Sequence, residues 1–521
     1  MKRAGTSLTF LGSLLAATLL AGCGTTVPLA QQQNTGNQGL GGDTSGTSGS
    51  GIGLGSSSGT TSGTSGGFGT GSSTSGTGSS STSGTGTTTG TGLGTSGTGT
   101  SLPSTPAGSG THTPIKVGVV SVSYAAFASA FGVSDVNTST FGTYQAIFAA
   151  LNKQGGLNGH PIQATYDVVD GGASNASTEA DRSCAKFTQD AKVAVVLSMN
   201  FTTEEFSSCL AKAKTPQIDS GFFAFGDRAM KRHPNLFIPD GMSMDRYMLA
   251  LLESSVSQGR ITKKDTLGVL REDCPMHNEV MNDTVTPTAK RLGLKVVETT
   301  IHCYGGFSQI GSATSEISSA VLKFRSEGVT HVTCMSASEG FCMVIFTKAA
   351  SNQGYKPKYL MTSNAFPYAD SDTSQPVSYT ADQLPGMSAI GWAPLIDIGT
   401  RAKATGRQAA AQALCHKLDP TYGGHAGDTT ARENWIAFAY GECDSIFVLK
   451  AVAERLGTQL SMQYFPAAYQ QVVPSYSAAE PTDGALLFPN GRRDGASRFQ
   501  LTSWKSSCSC FSADGPTRKA P

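Results

Sequence analysis

Residues 115–170 read IKVGVVSVSYAAFASAFGVSDVNTSTFGTYQAIFAALNKQGGLNGHPIQATYDVVD, and their order decides the fold class. Ile115 to Val120 is a short apolar run of the kind that forms a buried parallel strand. After a polar loop dotted with aromatics, Tyr144, Ile147, Phe148 and Leu151 recur at three- and four-residue spacing, the period of a helix with one apolar face. Gly155-Gly156 stops that helix, because glycine accepts the left-handed conformation a helix end needs. Asn158-Gly159 then turns the chain into a second strand, Ile162 to Val169, which carries Tyr166-Asp167 and ends at Asp170-Gly171-Gly172. This strand–helix–strand unit is the building block of a parallel sheet whose ligands sit at the carboxyl ends of the strands.

The stretch also resembles the start of the type I periplasmic binding proteins, in the branch of the leucine/isoleucine/valine-binding proteins of ABC importers. The resemblance rests on a helix ending in Asn-x-x-Gly-Gly-Leu-Asn-Gly and a strand ending in Tyr-Asp-x-x-Asp, and it extends from about Pro114 to the C-terminus. It implies an α/β fold of two Rossmann-like lobes with parallel sheets, joined by a hinge of three chain segments. The expected first lobe is 113–239 plus 387–474, and the second is 240–386 plus 475–521. Leu236-Phe237-Ile238-Pro239 resembles the first crossing, Met387–Trp392 the return, and the segment from Leu486 to Phe511 the last one. A two-lobed protein with a hinge closes on its ligand.

The N-terminus carries an export signal. Lys2 and Arg3 precede an apolar segment, Leu8 to Leu20, too short for a comfortable membrane span. It ends in Leu20-Ala21-Gly22-Cys23, which matches the bacterial lipobox, so residues 1–22 read as a lipoprotein signal peptide and Cys23 as the lipidated mature N-terminus. Acyl chains hold a protein at a membrane through roughly 0.8 kcal/mol per buried methylene. From about Asn34 to His112 the composition collapses to Gly, Ser and Thr, so 23–112 is expected to be a lipidated, flexible linker. As a random coil of about 80 residues it would span on the order of 50 Å. With 38 basic and 37 acidic residues the charge is near balance, and no electrostatic footprint for nucleic acid is present.

Ten cysteines remain: Cys184, Cys209, Cys274, Cys303, Cys334, Cys342, Cys415, Cys443, Cys508 and Cys510. An even number in an exported chain reads as disulfides, whose connectivity does not follow from sequence alone. The parallel-sheet arrangement suggests Cys274 with Cys303 at neighbouring strand ends and Cys184 with Cys209 between neighbouring helices. It further suggests Cys415 with Cys443, Cys334 with Cys342, and by remainder Cys508 with Cys510. A competing reading makes Cys274, His277, His302 and Cys303 a metal site, but the family has none and the compartment is oxidising, so neither metal nor cofactor is expected.

The resemblance also places the ligand site. The loop Ser198-Met199-Asn200-Phe201-Thr202, followed by a helix starting at Thr203-Glu204-Glu205, matches the family's carboxylate-binding position, and Ser220 lies in the second such segment. Free N–H groups and the helix dipole suit an anion there; the alternative for Ser198, Thr202 and Ser220 is plain helix capping. Tyr124 and Phe127, like Tyr304 and Phe307, either wall the ligand or pack within their loops. The chain departs from the family in two places. The ammonium acceptor is replaced by neutral Asn364, with Glu339 (beside Ser338) and Asp370 nearby, and the usual Tyr-Gly pair is replaced by Glu272-Asp273-Cys274-Pro275-Met276-His277. Cys274 is therefore also a candidate contact. These changes point away from simple branched-chain amino acids, toward an amide, a carboxylic acid or another small solute.

No phosphate-cradling, zinc-protease or nucleophile-elbow motif occurs, and no enzymatic activity is expected. The reading is a lipid-anchored extracytoplasmic protein that captures a small solute for an ABC permease and touches the membrane only through its anchor. The alternatives are a sensory receptor acting on a separate membrane partner and a surface scaffold.

Overall fold

The computed structural model describes residues 112–123, 140–169, 176–199, 201, 203–220, 225–304, 310–368, 371, 378–424, 432–472, 476–484 and 491–521. The expected unit is present as β1 (Ile115–Val122), a helix over Gly142–Lys153, and β2 (Ile162–Val169). The two strands pair in parallel, Ile115 opposite Ile162 and Val122 opposite Val169. Val117, Val119 and Val120 are all buried, as a strand covered on both faces requires. Gly118 lies under Phe187, where an added Cβ would come within 2.7 Å of the ring.

The Asn-x-x-Gly-Gly pattern has a local cause. Asn152 Oδ1 accepts from the Ile162 N–H at 2.7 Å, and its Nδ2 donates to the Ile162 carbonyl at 3.0 Å. One side chain thus imitates a strand partner and ties the helix end to the start of β2. Gly156 has a φ of +75°, and a Cβ there would overlap the His160 carbonyl at 2.0 Å. Asp167, buried in β2, accepts from Ser183 Oγ at 2.6 Å and from Arg182 and Lys186, anchoring the next helix (Ala176–Ala185).

The first sheet continues with β3 (Val195–Met199), β4 (Gln217–Ser220) and β5 (Leu236–Phe237) in the order β2-β1-β3-β4-β5, every pair parallel. The second contains β6 (Thr266–Glu272), β7 (Lys295–Ile301), β8 (His331–Met335), β9 (Lys358–Thr362), β10 (Met387–Gly391), β11 (Arg498–Lys505) and β12 (Cys510–Ala513). Their order is β7-β6-β8-β9-β10-β11-β12, with β13 (Arg518–Lys519) on β11. This sheet is parallel except at its edge, where β11 runs against β10 and β12. A short turn joins β11 to β12, and only antiparallel strands can be joined that way.

Two lobe boundaries differ from expectation. β10 pairs with β9 and β11, so it is a strand of the second lobe, and the chain returns to the first lobe after it rather than at residue 387. Helices Gly406–Leu418, Arg432–Leu456 and Phe465–Val472 then pack on β1 and β3. Tyr476, Ala478 and Ala479 still belong to that core, so the last crossing follows Ala479, not residue 474. The segments of the hinge are stitched together. Ile238 N–H donates to the Arg493 carbonyl, Gly495 N–H to the Ile238 carbonyl, and Thr482 N–H to the Trp392 carbonyl.

The helix expected over Asn278–Leu292 begins earlier, at Pro275, and widens into a π turn at Met281–Val285. Pro287 has no N–H to give Asp283, and in a regular α-turn its ring would clash with that carbonyl, which the wider turn avoids. All five disulfides suggested by the parallel-sheet arrangement are formed: Cys184–Cys209, Cys274–Cys303, Cys334–Cys342, Cys415–Cys443 and Cys508–Cys510. Among the described residues no helix is long and apolar enough to cross a membrane.

Candidate functional site

The carboxyl ends of the strands, where parallel sheets present ligands, bring together only some of the expected residues. Tyr124, Asn200 and Thr202 lie outside the described residues, as do Phe127, Phe307, Asp370 and the anchor Cys23.

Ser198 is fully buried and faces the neighbouring strand. Its hydroxyl donates to Asp219 Oδ1 at 2.7 Å and accepts from Gln217 Nε2 at 3.1 Å, while Gln217 Oε1 accepts from Ser207 Oγ at 2.8 Å. This serine holds β3 to β4 rather than presenting a hydroxyl to a ligand. Thr203, one residue beyond the expected Thr202, caps the next helix, accepting from the Phe206 N–H. Ser220 is also buried. It donates to the Ser198 carbonyl at 3.3 Å and lies beside the Tyr144 hydroxyl, which burial pushes far up its titration range.

Beneath Ser220 the helix Arg432–Leu456 comes close through Gly441. A Cβ there would fall 2.9 Å from Glu480 Oε2, 3.1 Å from Asp240 Oδ2 and 3.5 Å from Ser220 Cβ. Asp240 follows the first crossing and Glu480 opens the last, so two hinge segments bring buried acids together. Burial, then the Asp240 charge, raises the Glu480 carboxyl well above the carboxylate range, and the pair shares a hydrogen bond. Asp444, on the same helix, accepts from the Ala479 and Glu480 N–H groups at 2.7 and 2.9 Å, and burial pushes it up to about 7. Sequence reasoning missed this cluster. The available signal was Pro239-Asp240 and Glu480-Pro481, an acid beside a proline at each crossing.

In the second lobe Glu339 opens the helix Glu339–Asn352. Its Oε1 accepts from the Thr362 N–H at 3.0 Å and its other oxygen bonds the Thr362 hydroxyl, so both oxygens tie the helix start to the end of β9. Burial pushes this carboxyl up to about 8. Ser338 precedes it, partly exposed, with no side-chain cap bond. Asn364 is buried. Its side chain bonds the Tyr247 hydroxyl, and its Oδ1 has no partner. Tyr247 in turn stacks on Trp392 at 5.7 Å. The Phe366 ring beside Asn364 reaches the first lobe's helix, 6.1 Å from Phe438.

At the end of β6, Glu272 accepts from the Ala337 N–H at 3.3 Å, and burial pushes its carboxyl up to about 8. His277 is fully buried, and neither ring nitrogen has a hydrogen-bond partner. Burial brings it down to about 4, so it is neutral. The buried Ser336 hydroxyl, beside Glu272 at the end of β8, also lacks a partner. Cys274 is joined to Cys303, and His302 bonds Glu316 at 2.6 Å, so the four-residue metal set does not form. Tyr304 is partly buried with its hydroxyl beside Glu316, on the far side of that disulfide from His277 in sequence. The nearby cation Arg271 is engaged by Glu298 at 2.5 Å. These strand ends offer neutral hydrogen-bonding groups: His277, Ser336, Asn364 and the two uncharged glutamic acids.

Solved structures share this architecture. A solute-binding protein of an ABC transporter from R. palustris, in complex with 4-hydroxybenzoate, aligns over 78% of this chain and 97% of its own, at 14% identity and a TM-score of 0.56. A fatty acid ABC transporter substrate-binding protein from Thermomonospora curvata covers 78% and 92%, at 14% identity and 0.51. A branched-chain amino acid ABC transporter protein from Thermus thermophilus with bound valine covers 78% and 97%, at 13% and 0.51. No curated protein matches the chain. The profile of the periplasmic binding protein family matches residues 114–479, which is most of the folded region, and the chain therefore belongs to that family of extracytoplasmic solute-binding proteins rather than to any enzyme class.

Proposed function

We propose that the protein is a lipid-anchored receptor that captures a small polar solute between its lobes and delivers it to an ABC permease. The observation that carries this reading is the set of buried, unpartnered hydrogen-bonding groups at the strand ends of the second lobe: the His277 ring, Ser336 Oγ and Asn364 Oδ1. An orphaned buried polar group costs about 1–3 kcal/mol, and a ligand that supplies the missing bonds recovers it. Burial favours the neutral form of Glu272 and Glu339, and Glu339 is already committed to Thr362, so neither of these two acids offers a fixed anion to an ammonium. This favours an amide, hydroxyl or carboxylic-acid solute over a simple α-amino acid. Cys23 is the anchor, and the Gly/Ser/Thr segment to residue 112 is the tether.

Native mass spectrometry of the chain purified from cell envelopes tests capture directly. A small-molecule adduct released on mild denaturation is the expected result. If there is no adduct, and saturating amides, aromatic and aliphatic acids and amino acids all leave the melting temperature unmoved, the capture reading is wrong. Cys23→Ser tests the anchor: the variant should move from the membrane to the soluble fraction.

A further inference from the structure

We propose that Glu272, Cys274 and His277 form a divalent-metal site which the Cys274–Cys303 disulfide holds shut. The three residues enclose one small volume at the end of β6, and a carboxylate oxygen, the sulfur and a ring nitrogen all lie within 4.8 Å of one another. Glu272 Oε2 is the centre of the group, 3.4 Å from Cys274 Sγ and 4.0 Å from His277 Nδ1. Ligands on a tetrahedral zinc or cobalt ion, with bonds of about 2.0–2.3 Å, sit about 3.3–3.6 Å from each other. The cluster is thus near the required spacing.

The independent pointer is His277. The ring is fully buried, both nitrogens lack partners, and the backbone around it is fixed by the helix Pro275–Val280. Buried polar groups left wholly unpaired are rare and mark a strained, catalytic or metal-linked position. Neutral imidazole is the metal-binding form of the residue, and carboxylate, thiolate and imidazole together suit a late first-row divalent ion.

In the disulfide the Cys274 sulfur carries no thiolate charge and is a poor ligand for such an ion. A dithiol reductant opens the site by exchange: two electrons pass to the Cys274–Cys303 bond, two protons are taken up, and the reductant leaves as its cyclic disulfide. The freed Cys274 thiol and the protonated Glu272 carboxyl then each give a proton to solvent as the sulfur–metal and oxygen–metal bonds form. The partly exposed Cys274 side is the open side, so a fourth position remains for water or solute.

Cobalt(II) titration of the full chain, read by visible absorption, decides the matter. Cys303→Ser frees Cys274 without any redox step. It should take up one Co²⁺ per chain, with a sulfur-to-metal charge-transfer band and tetrahedral ligand-field bands. Adding His277→Gln should weaken that binding by at least about tenfold. Cys274→Ser/Cys303→Ser should keep the fold, by circular dichroism, and show no charge-transfer band. The oxidised wild-type chain should stay dark, and the same chain reduced by dithiol and desalted under argon should give the band. The proposal is overturned if folded Cys303→Ser gives no band, or if His277→Gln leaves the affinity unchanged. Should the variants misfold, absence of the band in the reduced wild-type chain overturns it equally.

Discussion

Arg246 Nη1 donates to Asp494 Oδ2 at 2.6 Å, joining residues 248 positions apart where the first and last crossings meet. Both are buried. Asp494 also accepts from the Ser243 N–H at 2.9 Å and Arg492 Nε at 3.1 Å, and the Arg246 fork reaches the carbonyls of Ala496 and Pro521. Burial works to raise the Asp494 carboxyl, but the Arg246 and Arg492 charges outweigh it and hold it below the usual range. Removing Asp494 leaves the buried Arg246 without its carboxylate, and removing Arg246 leaves the buried Asp494 with Arg492 as its remaining cation; breaking a buried pair costs about 3–5 kcal/mol. Asp494→Asn and Arg246→Met should each lower the unfolding free energy by that order in urea denaturation. The pair clamps two hinge segments, so a loss under about 1 kcal/mol would mean that the hinge holds without it.

Two buried acids, Glu339 in the second lobe and Asp444 in the first, set an opposite pH dependence. Glu339 is pushed up to about 8 from 4.5, and Asp444 to about 7 from 3.8, in both cases chiefly by burial. The folded state therefore binds more protons than the unfolded state between these limits. Stability contributed by such groups is complete below the unfolded values and is lost as pH rises through the folded ones, at about 1.4 kcal/mol per pH unit for each group. Melting temperature should fall from pH 5 to pH 8. In Glu339→Gln, which mimics the neutral acid at Thr362, the fall should be shallower and the variant should overtake the wild type near pH 8. Parallel curves for the two proteins would show that Glu339 is ionised when buried.

How far the sequence could be read follows from what each signal depends on. The β1–helix–β2 unit was legible because its cues are local: a six-residue apolar run, a helical stripe, Gly155-Gly156 and Asn158-Gly159. Even the Asn152 signature is local, a side chain bonded ten residues ahead. β10 was legible as a strand but not as a member of the second sheet, since a buried apolar strand reads alike beside any neighbour. Ser198 was misjudged for a similar reason. Whether a hydroxyl at a strand end turns to solvent or to the next strand is decided by Asp219 and Gln217, some twenty residues later. The acids Asp240, Asp444 and Glu480 meet only because three separated segments converge.

Gly118 gives a packing test. The Phe187 ring is fully buried against β1, and a methyl group at residue 118 would lie 2.7 Å from it. The ring cannot retreat without opening the cluster it shares with Val120, Val196 and Phe206. Overpacking of this kind costs about 1–3 kcal/mol. Gly118→Ala should lose that much stability by denaturant unfolding with the slope unchanged, and pairing it with Phe187→Leu should restore part of the loss.

The disulfides separate by the loops they close. Cys184–Cys209 and Cys415–Cys443 span 25 and 28 positions, whereas Cys508–Cys510 spans 2. Cross-linking removes entropy from the unfolded chain in proportion to the logarithm of loop length, about 3 kcal/mol for loops of a few tens of residues. Cys184 and Cys415 are also fully buried, so their bridges fix helices of the first lobe. Cys184→Ala/Cys209→Ala and Cys415→Ala/Cys443→Ala should each lose about 2–4 kcal/mol. The Cys508→Ser/Cys510→Ser variant closes no loop of consequence and should stay within about 1 kcal/mol of the wild type. Equal losses in all three variants would place the stabilisation in the folded contacts of the sulfurs and not in the unfolded chain.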